Sequence, residues 1–273
     1  VGAAFVLGLV GLVPHDPIAL AFRTALALAA CWLTNKVFAR IFAVPANNES
    51  VYITALILAL ILDPVAATDS KGIVALAFTS VWAISSKFIL AIRRKHLFNP
   101  AALGVALSAL LLDQPATWWV GGNLALLPLV LLGGMLIVRK LRRLDLVSTF
   151  VVVALTTVLA TTDPSQYWTA LAETLGSSPL LFFAFVMLTE PLTAPTMRWS
   201  RIVFAAIVGL LFAPNIHMGS FYFTPELALL AGNLFAYAAG PKGRFVLTLE
   251  RIEQSAVDSF DFIFRSPRKL AFE

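Results

Sequence analysis

A single cysteine, Cys31, lies inside an apolar run, so the chain can form no internal disulfide. The three histidines, His15, His96 and His217, are scattered without metal-ligand spacing, which argues against a metal centre. Charge is scarce as well: 13% of residues are Asp, Glu, Lys or Arg, about half the share of a typical soluble domain. No catalytic triad, paired-carboxylate site or Gly-rich phosphate loop can be assembled from the polar residues, which argues against bond-making by side chains. Redox chemistry on a bound cofactor stays open, because a cofactor brings its own reactivity. In place of charge the chain has hydrophobicity, 59% of 273 residues and a mean hydropathy of +0.87, which puts it in a lipid bilayer. Its net charge of +5 sits in short clusters between apolar runs rather than on one face, so nucleic acid is not an expected partner.

Apolar runs set against helix breakers give ten candidate spans, at 1–13, 17–38, 51–63, 72–92, 98–112, 119–138, 146–162, 179–190, 201–214 and 221–239. Residues 1–13 lack a basic leader and a small-residue cleavage site and read as the remainder of a first span. Basic residues occupy every second connection: Lys36/Arg40, Arg93/Arg94/Lys95, Arg139/Lys140/Arg142/Arg143, Arg198/Arg201 and Lys242/Arg244. The positive-inside rule makes those loops cytoplasmic, with both ends of the membrane domain, 1–240, on that side of a bacterial-type inner membrane.

Two stretches organise the rest. ALILALILDPVAAT at 55–68 returns as FAFVMLTEPLTAPT at 183–196, with Pro64 and Pro191 127 residues apart; Phe98-Asn99-Pro100 and Phe223-Thr224-Pro225 are offset by 125. Residues 51–62 and 179–189 are nearer a dozen residues than the ~20 a spanning helix requires. Each reads as a half-helix or broken helix, the usual pointer to the centre of a duplicated membrane protein. With five spans per half, an odd number, the second repeat enters from the opposite side. The expected fold is therefore an all-α polytopic membrane protein of about ten transmembrane helices in two inverted five-helix repeats, followed by a β tail. Helix-end punctuation is the plainer reading of Asp63-Pro64 and Glu190-Pro191.

The polar groups in or beside these segments are the candidate site. Lys87 lies roughly 9 Å inside its span at 1.5 Å per residue, deep enough to be functional and shallow enough to snorkel. Asn99 precedes a helix-starting proline and suits an N-cap, whose helix N-terminus also favours an anion. Thr54, Thr193, Thr196 and Asn233 join them as candidate cofactor contacts. Asp63 and Glu190 mark a candidate ion pathway.

HLFNPAALG at 96–104, the Asp-Pro segment after ESVYITALILALIL, and FVMLTEPLTAPTMRWSRIVFAAIVGLL at 185–211 resemble the RnfD/NqrB membrane-subunit family of ion-translocating electron-transport complexes. The resemblance runs over about residues 1–240. It implies a ten-helix scaffold relaying electrons through flavin, FMN or riboflavin, to a quinone or haem acceptor, beside other electron-transport subunits, with Na⁺ or H⁺ as the coupling ion. A small-solute channel with the same repeat, or a membrane anchor for a reductase, are the competing readings. Lys87 and Asn233 fall where the family tends to have a lysine and an asparagine. One departure bears on the cofactor: members that hold FMN covalently use a Ser-x-Ala-Thr motif in a long external loop, and LLLDQPATWWVGGN here is short and lacks it. Thr117 is its only threonine, and Trp118 and Trp119 beside it read as an interfacial belt. Non-covalent flavin is therefore the expectation.

In residues 241–273 apolar and polar residues alternate at Phe245, Leu247, Leu249 and again at Phe260, Phe262, Phe264, the period of half-buried strands. LTLERIEQSAVDSFDFIFRSPRKLAFE resembles the first strands of a ferredoxin-NADP-reductase-type domain. FAD would belong to that fused domain alone.

Overall fold

The computed structural model describes residues 1–92, 95–219, 221–240, 247–256 and 258–265. Arg93, Arg94, Lys242, Arg244 and Phe245, expected to have a topological or strand role, lie outside the described residues. The chain divides into two compact units, Val1–Ala239 and Gly240–Glu273.

The first unit is helical. Its first half runs α1 (Gly2–Leu9), α2 (Pro17–Ile41), α3 (Asn48–Ile61), α4 (Ser70–Ile89), a hairpin of β1 (Ala91–Ile92) and β2 (Lys95–His96), and α5 (Pro100–Leu112). The second runs α6 (Leu127–Leu141), α7 (Leu144–Ala160), α8 (Tyr167–Gly176), α9 (Leu180–Phe182), which continues as a π-helical turn Phe183–Met187, then α10 (Arg198–Phe212), a hairpin of β3 (His217–Met218) and β4 (Phe221–Tyr222), and α11 (Pro225–Ala239). Each expected span meets a helix, but most are shorter than expected. Among the described residues only α2 and α4 are individually long and apolar enough to cross a membrane; Pro164–Gly176 and Leu180–Met187 form a further, bent candidate with a 52° break. A 15-residue helix such as α6 is roughly 22 Å long, short of a hydrocarbon core of about 30 Å.

Three expectations are corrected. Residues 167–176, read as loop, form α8. The ninth connection is closed by the β3–β4 pair, so the last helix begins at Pro225 rather than at 221. Trp118 and Trp119 are 5% and 9% exposed and belong to the core, not to an interfacial belt.

Helix starts follow sequence chemistry. Asp16, Asn47, Asp69 and Asn99 each stand before a helix and accept a backbone N–H from its first turn, at 3.0, 3.2, 3.1 and 3.0 Å. Each such cap stabilises its helix by about 1 kcal/mol. Small residues then let helices approach closely. A Cβ on Gly104 of α5 would stand 2.5 Å from the Thr79 carbonyl oxygen of α4, and one on Gly209 of α10 would stand 2.8 Å from that of Phe150 in α7. Phe150, Phe183 and Phe212 fill the second half's interior, their ring centroids 5.2–5.3 Å apart.

The second unit is an antiparallel pair, β5 (Thr248–Ala256) and β6 (Ser259–Arg265). The register sets Leu249 opposite Phe264, Ile252 opposite Phe262 and Gln254 opposite Phe260, gathering the large apolar residues on one face.

Candidate functional site

The β1–β2 hairpin returns the chain from the end of α4 to Phe98-Asn99-Pro100, and there the candidate residues converge. Asn99 does three things at once. Its Oδ1 accepts from the Ala102 N–H, its own N–H donates to Asn233 Oδ1 at 2.8 Å, and its Nδ2 reaches the Met187 carbonyl at 3.5 Å. The N-cap therefore ties the start of α5 to the last helix and to the end of the π-turn. Both amides are buried, Asn99 3% and Asn233 1% exposed, and Asn233 Nδ2 has no hydrogen-bond partner among the described residues. A buried amide donor without an acceptor is a rarity that calls for a ligand or water.

Beyond Met187 the chain leaves the helical path at Thr189-Glu190-Pro191, because proline has no N–H to continue it. Glu190 Oε1 lies 3.2 Å from His96 Nε2, and its Oε2 accepts from Thr193 Oγ1 at 3.0 Å. Their side chains are 9% (His96) and 23% (Glu190) exposed. On α4, Lys87 Nζ donates to the Ser50 carbonyl at 2.9 Å, to Ser50 Oγ at 2.8 Å and to Thr54 Oγ1 at 2.9 Å. All three ammonium hydrogens are engaged, so Lys87 does not snorkel; it binds α4 to the first turn of α3. Glu190 is among the acidic groups whose field reaches it.

Six of the sequence candidates thus lie on three hydrogen-bonded groups: Asn99 and Asn233 at the β2–α5 junction, Glu190 and Thr193 after the π-turn, and Lys87 and Thr54 between α4 and α3, with Glu190 linked electrostatically to Lys87. Two stand apart. Thr196 is exposed, and its carbonyl accepts from Arg201 Nη1 at 2.6 Å. Asp63 is exposed beyond the C-terminal end of α3 and lines a separate cavity.

The sequence reading gave no site role to His96, Arg23, Trp118, Glu226 or His15. His96, noted only for lacking metal spacing, is the partner of Glu190. Arg23 of α2 is fully buried, and its Nη2 donates to the carbonyls of Leu58 and Ala59 at the end of α3. A cation there complements both the orphan carbonyls and the negative end of the helix dipole. A lone arginine in an apolar run was the available signal. Trp118 holds a left-handed backbone (φ 53°); its N–H donates to the Ile61 carbonyl at 2.9 Å and its Nε1 to buried Glu226 of α11 at 3.3 Å. The His15 ring, in the α1–α2 loop, lies 4.8 Å from that of Trp119, and burial keeps its imidazole below its ordinary pKa, Asp63 opposing and Arg23 adding to the shift.

Short helices, buried polar junctions and capped helix breaks inside an apolar bundle define a polytopic integral membrane protein. Residues 119–238 match the model of the NQR2, RnfD, RnfE family, whose members are membrane subunits of ion-translocating electron-transport complexes. No curated protein matches the chain.

Proposed function

We propose that this chain is the electron-relaying membrane domain of a flavin-linked oxidoreductase, passing electrons from a cytoplasmic flavin domain to an acceptor in the membrane. The observation that carries this reading is the Asn99–Asn233 junction, where a buried amide donor, Asn233 Nδ2, stands without a partner. It fits the acceptor-rich edge of an isoalloxazine ring. Asn233 and Asn99 would hold that edge, Thr193 would orient Glu190 beside it, and Lys87, its hydrogens already used, would contribute charge rather than a bond. Bound flavin would supply one- and two-electron redox chemistry. FMN or riboflavin in the membrane unit and FAD in a fused reductase domain continuing from β5–β6 complete the proposal, with Asp63 and Glu190 on the path of a coupled ion.

The test is the cofactor itself. The chain purified in mild detergent is expected to carry a flavin absorbance that denaturation releases entirely. Asn233→Ala is expected to lose it by tenfold or more while the helical circular dichroism persists. A colourless wild-type chain sinks the reading. A fluorescent band that survives a denaturing gel and vanishes in Thr117→Ala overturns non-covalent attachment.

The inverted repeat belongs to the same proposal. Element order recurs from α2–α3–α4–hairpin–α5 to α7–α9–α10–hairpin–α11. Gly104 faces Thr79 and Ala83 of α4 just as Gly232, 128 residues on, faces Phe204 and Val208 of α10, each 125 residues on. With five spans per half, Gln114 faces outward and Leu141 inward. Since Cys31 is fully buried, an impermeant thiol reagent added outside is expected to modify Gln114→Cys and spare Leu141→Cys. The opposite pattern refutes the scheme.

A further inference from the structure

Away from the asparagine junction, a cavity of ~180 Å³ lies between the α3–α4 turn, α4 and the end of α5. The side chains that line it and carry polar atoms are Asp63, Asp69, Thr79, Ser108 and Gln114; no lysine, arginine, histidine or cysteine is among its lining residues. At its buried base stands an unmet demand. Ser108 is fully buried, yet its Oγ has no hydrogen-bond partner among the described residues. Thr79, also fully buried, spends its hydroxyl hydrogen on the Ala75 carbonyl at 2.8 Å, which leaves its oxygen lone pairs free. Asp69 uses Oδ1 to cap Gly72 N–H at 3.1 Å and keeps Oδ2. Of the described cations, Lys71 follows Asp69 by two residues and is exposed, and Arg23 of α2, which interacts electrostatically with Asp63, is turned onto the carbonyls of α3.

We infer that this cavity is a binding site for a hard divalent cation of the calcium or magnesium type. Every polar side chain lining it offers oxygen, and without nitrogen or sulfur donors the set does not suit a transition metal. Two carboxylates with no lining cation favour two positive charges over one. The volume exceeds that of a bare ion and leaves room for water beside it. The cation is therefore held partly hydrated, by Asp63 and Asp69 directly and by Ser108 and Thr79 through its waters, a mode hard divalent ions adopt readily. Bound there, it clamps the α3–α4 turn to α5. The inference stands on the cavity alone and does not depend on electron transfer.

The full chain in phosphatidylcholine nanodiscs is melted in CaCl₂, in MgCl₂, and in NaCl at equal ionic strength. At tenfold excess over Kd, CaCl₂ or MgCl₂ is expected to raise Tm by roughly 3–5 °C over NaCl. Calorimetric titration with the metal alone should show one site. Asp69→Asn, which keeps the helix cap, and Asp63→Asn should each abolish the rise, and Ser108→Ala should weaken binding several-fold. An equal rise in NaCl, or undiminished binding in Ser108→Ala, overturns the site, the latter because loose attraction to surface carboxylates needs no buried hydroxyl.

Discussion

Replacing Gly104 by leucine is expected to lower the melting temperature of the membrane unit by more than 10 °C. The cause is backbone, not side chain. A Cβ at position 104 would stand 2.5 Å from the Thr79 carbonyl oxygen, 3.0 Å from the Ala83 Cβ and 3.1 Å from the Ala83 nitrogen. None of these atoms can turn aside, so α4 and α5 must separate, and with them the lid over the buried hydroxyls of Thr79 and Ser108. Overpacking of this kind costs about 1–3 kcal/mol for a single methyl, or about 6–12 °C for Gly104→Ala at the upper end of that range. Gly232→Ala should cost less. Its Cβ would meet the side chains of Val208 and Phe204, which can shift rotamer. Gly133 supplies the control, because nothing lies within 4 Å of a Cβ there. Thermal unfolding of Gly104→Leu, Gly104→Ala, Gly232→Ala and Gly133→Leu in one detergent decides the matter. A Gly104→Leu protein that melts with the wild type refutes the crossing.

Much of this arrangement was legible in the sequence, for reasons that differ by element. Hydropathy finds α2 and α4 because a long apolar helix is apolar on every face in a bilayer. Asp or Asn before an apolar run finds the caps, because the capping bond spans only two or three residues. Helix α8 was missed because YWTALAETLG is short and flanked by polar turns, so it is not apolar enough to stand out by itself. Arg23 was missed because one charge is diluted among apolar residues, whereas its role appears only when the end of α3, 35 residues on, is brought beside it. Trp118 and Trp119 were misread for a related reason. An aromatic pair at the start of an apolar run suits an interface and a core equally; what decides for the core is Glu226, 108 residues from Trp118, and His15, whose ring lies 4.8 Å from that of Trp119.

The asparagine junction shows the opposite case. Asn99 and Asn233 were each readable as polar residues in apolar surroundings, and the pairing between them, 134 residues apart, is what joins the two halves. Asn99 N–H is one of the orphan donors that every helix start presents. A side chain from the other half accepts it, so any movement of α11 against α5 must break a buried hydrogen bond, a cost of roughly 1–3 kcal/mol. The junction is stiff, and its one spare donor faces a fixed place.

Lys87→Met separates structure from function at that place. The substitution should leave stability within about 1–2 kcal/mol of wild type, because two effects oppose: three hydrogen bonds are lost, and a buried charge no longer has to be desolvated. The acceptors are not all orphaned, since Thr54 Oγ1 already donates to the Ser50 carbonyl at 2.9 Å. The electrostatic loss has no such offset. With the ammonium gone, Glu190 faces the junction without that balancing charge, and an electron-rich ligand there is disfavoured. A flavin held at Asn99 and Asn233 is therefore expected to become harder to reduce. An interaction of about 1.4 kcal/mol corresponds to a two-electron midpoint potential more negative by about 30 mV, and Lys87→Arg, which keeps the charge, should restore most of it. Redox titration of the bound flavin beside a melting curve measures both quantities on one sample. A potential that does not move in Lys87→Met, in a protein that melts normally and retains its flavin, removes Lys87 from the site.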